Sequence, residues 1–172
     1  MLYMILKDGF EETEAIATYD FIKRGNIDIK TVSDNKEVTG THGVKVTCDI
    51  LFDQVSEKDF DGIILPGGQP GSDNLFKCEK TKKLLKEAYL NKKLMGAICA
   101  APYILGEYGF LKGREATCFP GFETHLKGAI YKDEKVVVSD FIITAKGMGA
   151  SFNFGYEIVK YFKGEDVSKK IM

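Results

Sequence analysis

Short apolar runs of strand length alternate with stretches of helical period along the whole chain. Leu2 to Leu6 reads as a buried strand that Asp8-Gly9 breaks. Glu12 to Arg24 follows with Ala15, Ile16, Tyr19 and Ile22 at helical spacing, and Gly25 stops the helix. Ile27 to Ser33 predicts a second strand. Glu37 to Phe52 predicts a hairpin, with Gly40 and Gly43 at its turn. Phe60 to Leu65 predicts a core strand ending at Pro66-Gly67-Gly68, then a loop, then a helix over Glu79 to Leu90. The next strand, Lys93 to Ile98, runs into Cys99 and a helix over Ala100 to Tyr108. Ala116 to Phe119 predicts a strand, and Ala129 to Thr144 a second hairpin turning at Lys132-Asp133-Glu134. Ser151 to Phe162 predicts the last long helix, and the tail from Val167 reads as a short helical turn or a frayed end.

This alternation predicts an α/β fold, a mainly parallel sheet with helices on both faces. Ligands in such sheets bind beyond the carboxyl ends of the strands. Three strand ends carry unusual residues here: Gly9 to Glu14, Pro66 to Gly68, and Cys99. The length, 172 residues, suits one domain over 1–172. A net charge of -1 argues against nucleic acid or anionic membrane as the main partner. No apolar run is long enough to span a bilayer. The start, lacking a basic front and a small-residue cleavage site, reads as a strand rather than a signal peptide. None of the four cysteines shares C-x-x-C spacing with another, and there are only two histidines. Reduced thiols in a cytoplasmic protein are expected, with no metal site. No phosphate loop or dinucleotide fingerprint occurs, so no cofactor is expected.

The chemistry-bearing segment is Gly96-Ala97-Ile98-Cys99-Ala100-Ala101-Pro102. A strand stops at a thiol, a helix starts at once, and small residues surround it, Gly96 and Ala97 before and Ala100 and Ala101 after. That is the pattern of a nucleophile elbow. Pro102 fits the first turn of the helix. Helix N-terminal N–H groups favour an anion, so a depressed thiol pKa is expected. The Ala100 N–H points where an oxyanion would sit, and Gly67-Gly68 lets backbone approach closely enough for Gly68 to supply a second donor. The alternative is that Cys99 is a small buried hydrophobe at a tight corner.

Glu11, Glu12 and Glu14 follow the first strand. Acidic residues favour a helix start and are usually solvated, the expectation for Glu12. Glu11 and Glu14 share a helix face, and one of them facing inward would meet the thiol. A carboxylate and a thiolate repel, so such a pair coexists only with the carboxyl protonated and donating to sulfur.

Four blocks in order, Gly9-Phe10-Glu11-Glu12-Thr13-Glu14, Leu65-Pro66-Gly67-Gly68, Ala97-Ile98-Cys99-Ala100-Ala101-Pro102 and Gly147-Met148-Gly149-Ala150-Ser151-Phe152, resemble the ThiJ/PfpI family and its DJ-one branch. The resemblance covers nearly the whole chain. It implies a flavodoxin-like three-layer sandwich, a homodimer, and an oxidisable nucleophile at Cys99. It places the protonated glutamic acid at Glu14 rather than Glu11, and the oxyanion donors at Gly68 and Ala100. Glu11 and Arg24 match residues near the dimer contact, and Asp20 an acidic residue paired with a histidine in family proposals.

The chain departs from the family at that histidine: Phe119-Pro120 stands where close relatives carry His-Pro. His125, six residues on, is the remaining candidate, though a loop histidine is more often solvated; His42 has less claim. With Glu14 as the nearby acid/base, the resemblance implies glyoxalase or deglycase chemistry on small α-oxoaldehydes or their glycation adducts, without a cofactor. Peptide hydrolysis needs a stronger base. The second reading is a redox sensor, which needs a thiolate and no base.

Overall fold

The computed structural model describes residues 1–172. In chain order its strands and helices are β1 (Leu2–Ile5), α1 (Glu12–Arg24), β2 (Ile29–Ser33), β3 (Glu37–Thr39), β4 (Lys45–Thr47), β5 (Ile50–Leu51), β6 (Gly62–Leu65), α2 (Gly71–Lys77), α3 (Glu79–Leu90), β7 (Leu94–Ile98), α4 (Pro102–Glu107), β8 (Glu115–Ala116), β9 (Ile130–Tyr131), β10 (Val136–Ser139), β11 (Ile142–Ala145), α5 (Ser151–Lys163) and α6 (Glu165–Ile171). Seven strands form the central sheet in the order β10-β11-β7-β6-β1-β2-β5. Every pair is parallel except β10 with β11.

Successive strand residues point to opposite faces, and here both faces are covered. Leu2, Met4, Ile64, Leu94 and Ile98 join a core packed by α1 and α5. Tyr3, Ile5, Ile63, Leu65, Met95 and Ala97 join a core packed by α3 and α4. That two-sided burial is why the strands read as unbroken apolar runs. Phe154 of α5 is fully buried and lies over Gly96, where a Cβ would come within 3.0 Å of its ring.

The first helix begins and ends where the periodicity puts it. Other elements differ. Gly71–Lys77 is a helix rather than a loop, because Leu75 supplies the one buried large residue that its polar sequence hides. The cysteine helix starts at Pro102, three residues past the thiol. The strand expected to reach Phe119 ends at Ala116. The second hairpin turns at Asp140, not at Lys132–Glu134. Asp140 takes the left-handed conformation (φ 60°) that Asp tolerates better than most residues. Ile130–Tyr131 instead pairs in parallel with β8 in a separate two-stranded sheet. The first hairpin, β3 with β4, forms as expected, while Ile50–Leu51 leaves it to join the edge of the main sheet.

Truncating Phe154 to alanine is expected to lower stability by about 3–5 kcal/mol, the usual range for an emptied aromatic site. Urea unfolding should show the midpoint falling at constant slope.

Candidate active site

Cys99 holds a left-handed backbone, φ 65°, at the end of β7. Such a conformation in a non-glycine residue costs on the order of 1–3 kcal/mol and must be held from outside. Two hydrogen bonds hold it. The Cys99 N–H donates to the Ala145 carbonyl (2.9 Å), and its carbonyl accepts from the Phe119 N–H (2.8 Å). The elbow is thus fixed to β11 on one side and to the segment after the cysteine helix on the other.

Glu14 comes up from the first turn of α1 and is almost fully buried, at 1% exposure. Glu11 caps that helix: its carboxylate accepts from the Glu14 N–H (2.6 Å), and its own N–H donates to the Gly67 carbonyl (2.9 Å). The α1 start is thereby tied to the loop after β6. Glu14 Oε2 accepts from the Gly67 N–H at 2.9 Å. Oε1 has no nitrogen or oxygen partner, and the Cys99 thiol is the remaining group in hydrogen-bonding reach of the carboxyl. Gly67 makes the contact sterically possible. A Cβ there would sit 2.5 Å from Cys99 Cβ and 2.7 Å from Glu14 Oε2. Gly68 holds φ 91°, and a side chain on it would strike the Glu11 backbone nitrogen at 2.4 Å.

Burial pushes the Glu14 carboxyl up to about 7, against the thiol and Gly67 N–H contacts that pull it down. Burial, followed by the Glu14 charge, pushes the Cys99 thiol up to about 12, while the N–H groups of Ala100 and Gly68 draw it down. The expectation of an intrinsically depressed thiol pKa is therefore corrected. The helix begins too late, at Pro102, for its dipole to outweigh a buried carboxylate beside the sulfur. What forms is a coupled acid pair. It loses its first proton near 7 and then keeps the second between oxygen and sulfur over a wide range. A proton on oxygen leaves a thiolate facing two backbone donors.

The remaining candidates are placed as follows. Phe119 is bonded to Cys99 through its backbone, and its ring, 46% exposed, lies 3.1 Å from where a Gly147 Cβ would be. Asp20 pairs with Arg24 across one turn of α1 (2.7 Å), both exposed, rather than with a histidine. His125 Nδ1 lies 2.9 Å from Glu107 Oε1, and its ring packs on Tyr103, so the structure brings it to α4 instead of to the thiol. Glu12 contradicts the solvated reading. It is buried, accepts from the His42 N–H (2.6 Å) and His42 Nδ1 (2.9 Å), and fixes the first hairpin's loop. Only tertiary contacts disclose that role. Glu11, Glu12 and His42 bring ligand atoms within 4.8 Å of one another, but the Glu12 oxygens are already engaged by that loop. No helix is long and apolar enough to cross a membrane.

The family model for the DJ-1/PfpI family matches residues 1–161. The chain belongs to the DJ-1/PfpI family. Protein DJ-1 homolog B of Arabidopsis thaliana is 35% identical over 94% of this chain, which spans only 37% of that longer relative. The glutathione-independent glyoxalase DJR-1.2 of Caenorhabditis elegans is 33% identical, over 99% of this chain and 92% of its own length. The oxidized form of Toxoplasma gondii DJ-1 superposes with a TM-score of 0.94 at 28% identity, covering 99% of this chain and 94% of that one. The fold is therefore shared with that structure over nearly the whole of this chain.

The raised Glu14 pKa carries a stability consequence. The folded state keeps a proton that the unfolded chain releases above 4.5, so this group's contribution is lost as pH rises from 4.5 through about 7. Glu14→Gln is expected to be more stable than the parent at pH 8 by at most about 3 kcal/mol, with the difference closing by pH 5. Paired thermal melts across that range check the sign.

Proposed function

We propose that this protein is a cofactor-independent glyoxalase whose nucleophile is Cys99 and whose acid/base is Glu14. The observation that carries the reading is the buried Glu14–Cys99 pair, with Gly67 holding the carboxyl and two N–H groups facing the sulfur. In the active form Glu14 holds the pair's proton. The thiolate adds to the aldehyde carbon of an α-oxoaldehyde, and the developing alkoxide is held by the N–H groups of Ala100 and Gly68. Glu14 protonates that oxygen to give the hemithioacetal. It then takes the proton from the carbon bearing sulfur as the neighbouring ketone oxygen gains one, giving an enediol, and returns that proton to the neighbouring carbon as the hemithioacetal hydroxyl gives up its own, leaving a thioester. Water hydrolyses the thioester, releasing lactate from methylglyoxal and restoring Cys99. Hydrolysis of a glycation adduct uses the same nucleophile. A glutathione-independent glyoxalase among the relatives supports this reading.

Exposed Ile16 on α1, Met148 in the turn before α5 and Phe152 in its first turn support a homodimer, and four unpaired cysteines support a cytoplasmic setting. The whole of 1–172 acts as one domain in this reading.

A redox-sensor role is favoured by one observation: Phe119, not a histidine, adjoins Cys99, so no second base is at hand. Graded peroxide with peptide mapping and methylglyoxal turnover on the same samples separates the two. Turnover that disappears as Cys99 oxidises supports the enzyme, whereas selective oxidation with negligible turnover supports the sensor.

Cys99→Ser is expected to lose at least about 100-fold in kcat/KM, and Glu14→Gln a comparable factor, with circular dichroism unchanged. The wild-type rate should rise with pH through about 7, as the pair loses its first proton. Turnover at the parent rate in both variants would end the proposal.

A further inference from the structure

A groove of about 410 Å³ lies beside the Cys99 elbow, and its surface is almost wholly apolar. One wall is Phe119-Pro120, and the other is the turn over 147–150. Both walls are fastened to the nucleophile's own peptide. The Phe119 N–H donates to the Cys99 carbonyl (2.8 Å), and the carbonyl of Ala145, just before Lys146, accepts from the Cys99 N–H (2.9 Å). The groove thus stands at the carboxyl ends of β7 and β11, the end of the sheet that carries the thiol. Phe119 has no task in the acid/base chemistry, yet its ring is left exposed in this wall. Gly147 sets where the ring lies, since a Cβ there would sit 3.1 Å from ring Cδ2. At Gly149 a Cβ would meet nothing within 4 Å, so the turn leaves open space. Little charge intrudes, because the Lys146 ammonium is engaged by Asp133 and Lys135 is exposed. An open ring in an apolar groove offers a flat group an offset-stacked or edge-to-face partner, whereas a methyl group covers little of it.

We propose that this groove is the specificity subsite for the substituent of the α-oxoaldehyde, and that Phe119 selects an aryl group there over a methyl group. This assignment rests on the glyoxalase reading and names its substrate class: aryl α-oxoaldehydes, converted to aryl 2-hydroxy acids by the steps given above. The aldehyde carbon is bonded to Cys99, and the aryl group on the neighbouring carbon extends along the Phe119 ring. That group keeps its bond to carbon throughout, so the groove adds no chemical step. Its contact is present in the addition, the enediol and the thioester alike, and such uniform binding appears in kcat/KM.

The test measures initial rates of the full chain with phenylglyoxal and with methylglyoxal, beside calorimetric titration with mandelate and lactate, the two products. The ratio of the two kcat/KM values is compared between variants, so the intrinsic reactivity of the aldehydes cancels. Phe119→Ala is expected to lower the ratio at least about 10-fold, the scale of an apolar contact of a methylene or more. Phe119→Tyr keeps the ring and should keep the ratio. Gly147 has an extended backbone (φ 167°) that any residue adopts, so Gly147→Ala should displace the ring and lower the ratio as well. Mandelate should bind wild type at least about 10-fold more tightly than lactate and lose that advantage in Phe119→Ala. An unchanged ratio in Phe119→Ala, with both aldehydes consumed, overturns the proposal and leaves the glyoxalase reading standing. If neither aldehyde is consumed, the glyoxalase reading fails and the titration decides the groove: mandelate bound no more tightly than lactate overturns it too. Mandelate binding that appears only on dilution to monomers assigns the groove to a second copy of the chain, and also overturns the proposal.

Discussion

Burying the Glu14 carboxyl strips it of water, and the protein returns one N–H from Gly67 and the thiol of Cys99. A carboxylate so poorly compensated is costly, so the group keeps its proton until about neutral pH. Much of the carboxyl edge of the sheet serves that contact. The Glu11 cap sets the start of α1, the Glu11 N–H fastens it to the loop after β6, and Gly67 omits the side chain that would separate acid from thiol.

The elbow needs a rigid base, because a left-handed cysteine left to itself would relax. The parallel sheet supplies it. β7 lies between β6 and β11, covered on both faces, and backbone bonds to Ala145 and Phe119 hold the two sides of the Cys99 peptide. Strain at one residue is small beside the burial of two core clusters. Proximity of the two acids then does the electrostatic work: a single retained proton can sit on oxygen or sulfur, and the nucleophile exists only when it sits on oxygen.

The four thiols show how far environment separates chemically identical groups. Cys48 and Cys118 are buried among apolar residues and held neutral. Cys99 is buried too, but beside a carboxyl that exchanges a proton with it. Cys78 sits partly exposed at a helix start. Phe119 narrows the chemistry further, since its backbone is bonded to Cys99 while its ring can supply no base.

Much of this was legible from residue order alone. Apolar runs marked the strands because both sheet faces are buried, and helical spacing marked α1 and α3 because each buries one stripe. The small residues around Cys99 disclosed the elbow, since a tight strand-to-helix turn excludes larger ones, and the glutamates after β1 narrowed the acid to two positions. Sequence pattern did not disclose the α2 helix, the true hairpin turn at Asp140, or the buried role of Glu12, each of which depends on partners distant in the chain. It also misjudged the Cys99 thiol, because ionisation follows from desolvation and from the carboxyl across the loop, not from the helix that follows. Local pattern determines which element forms, whereas burial and electrostatics belong to contacts between elements, and only the tertiary structure decides those.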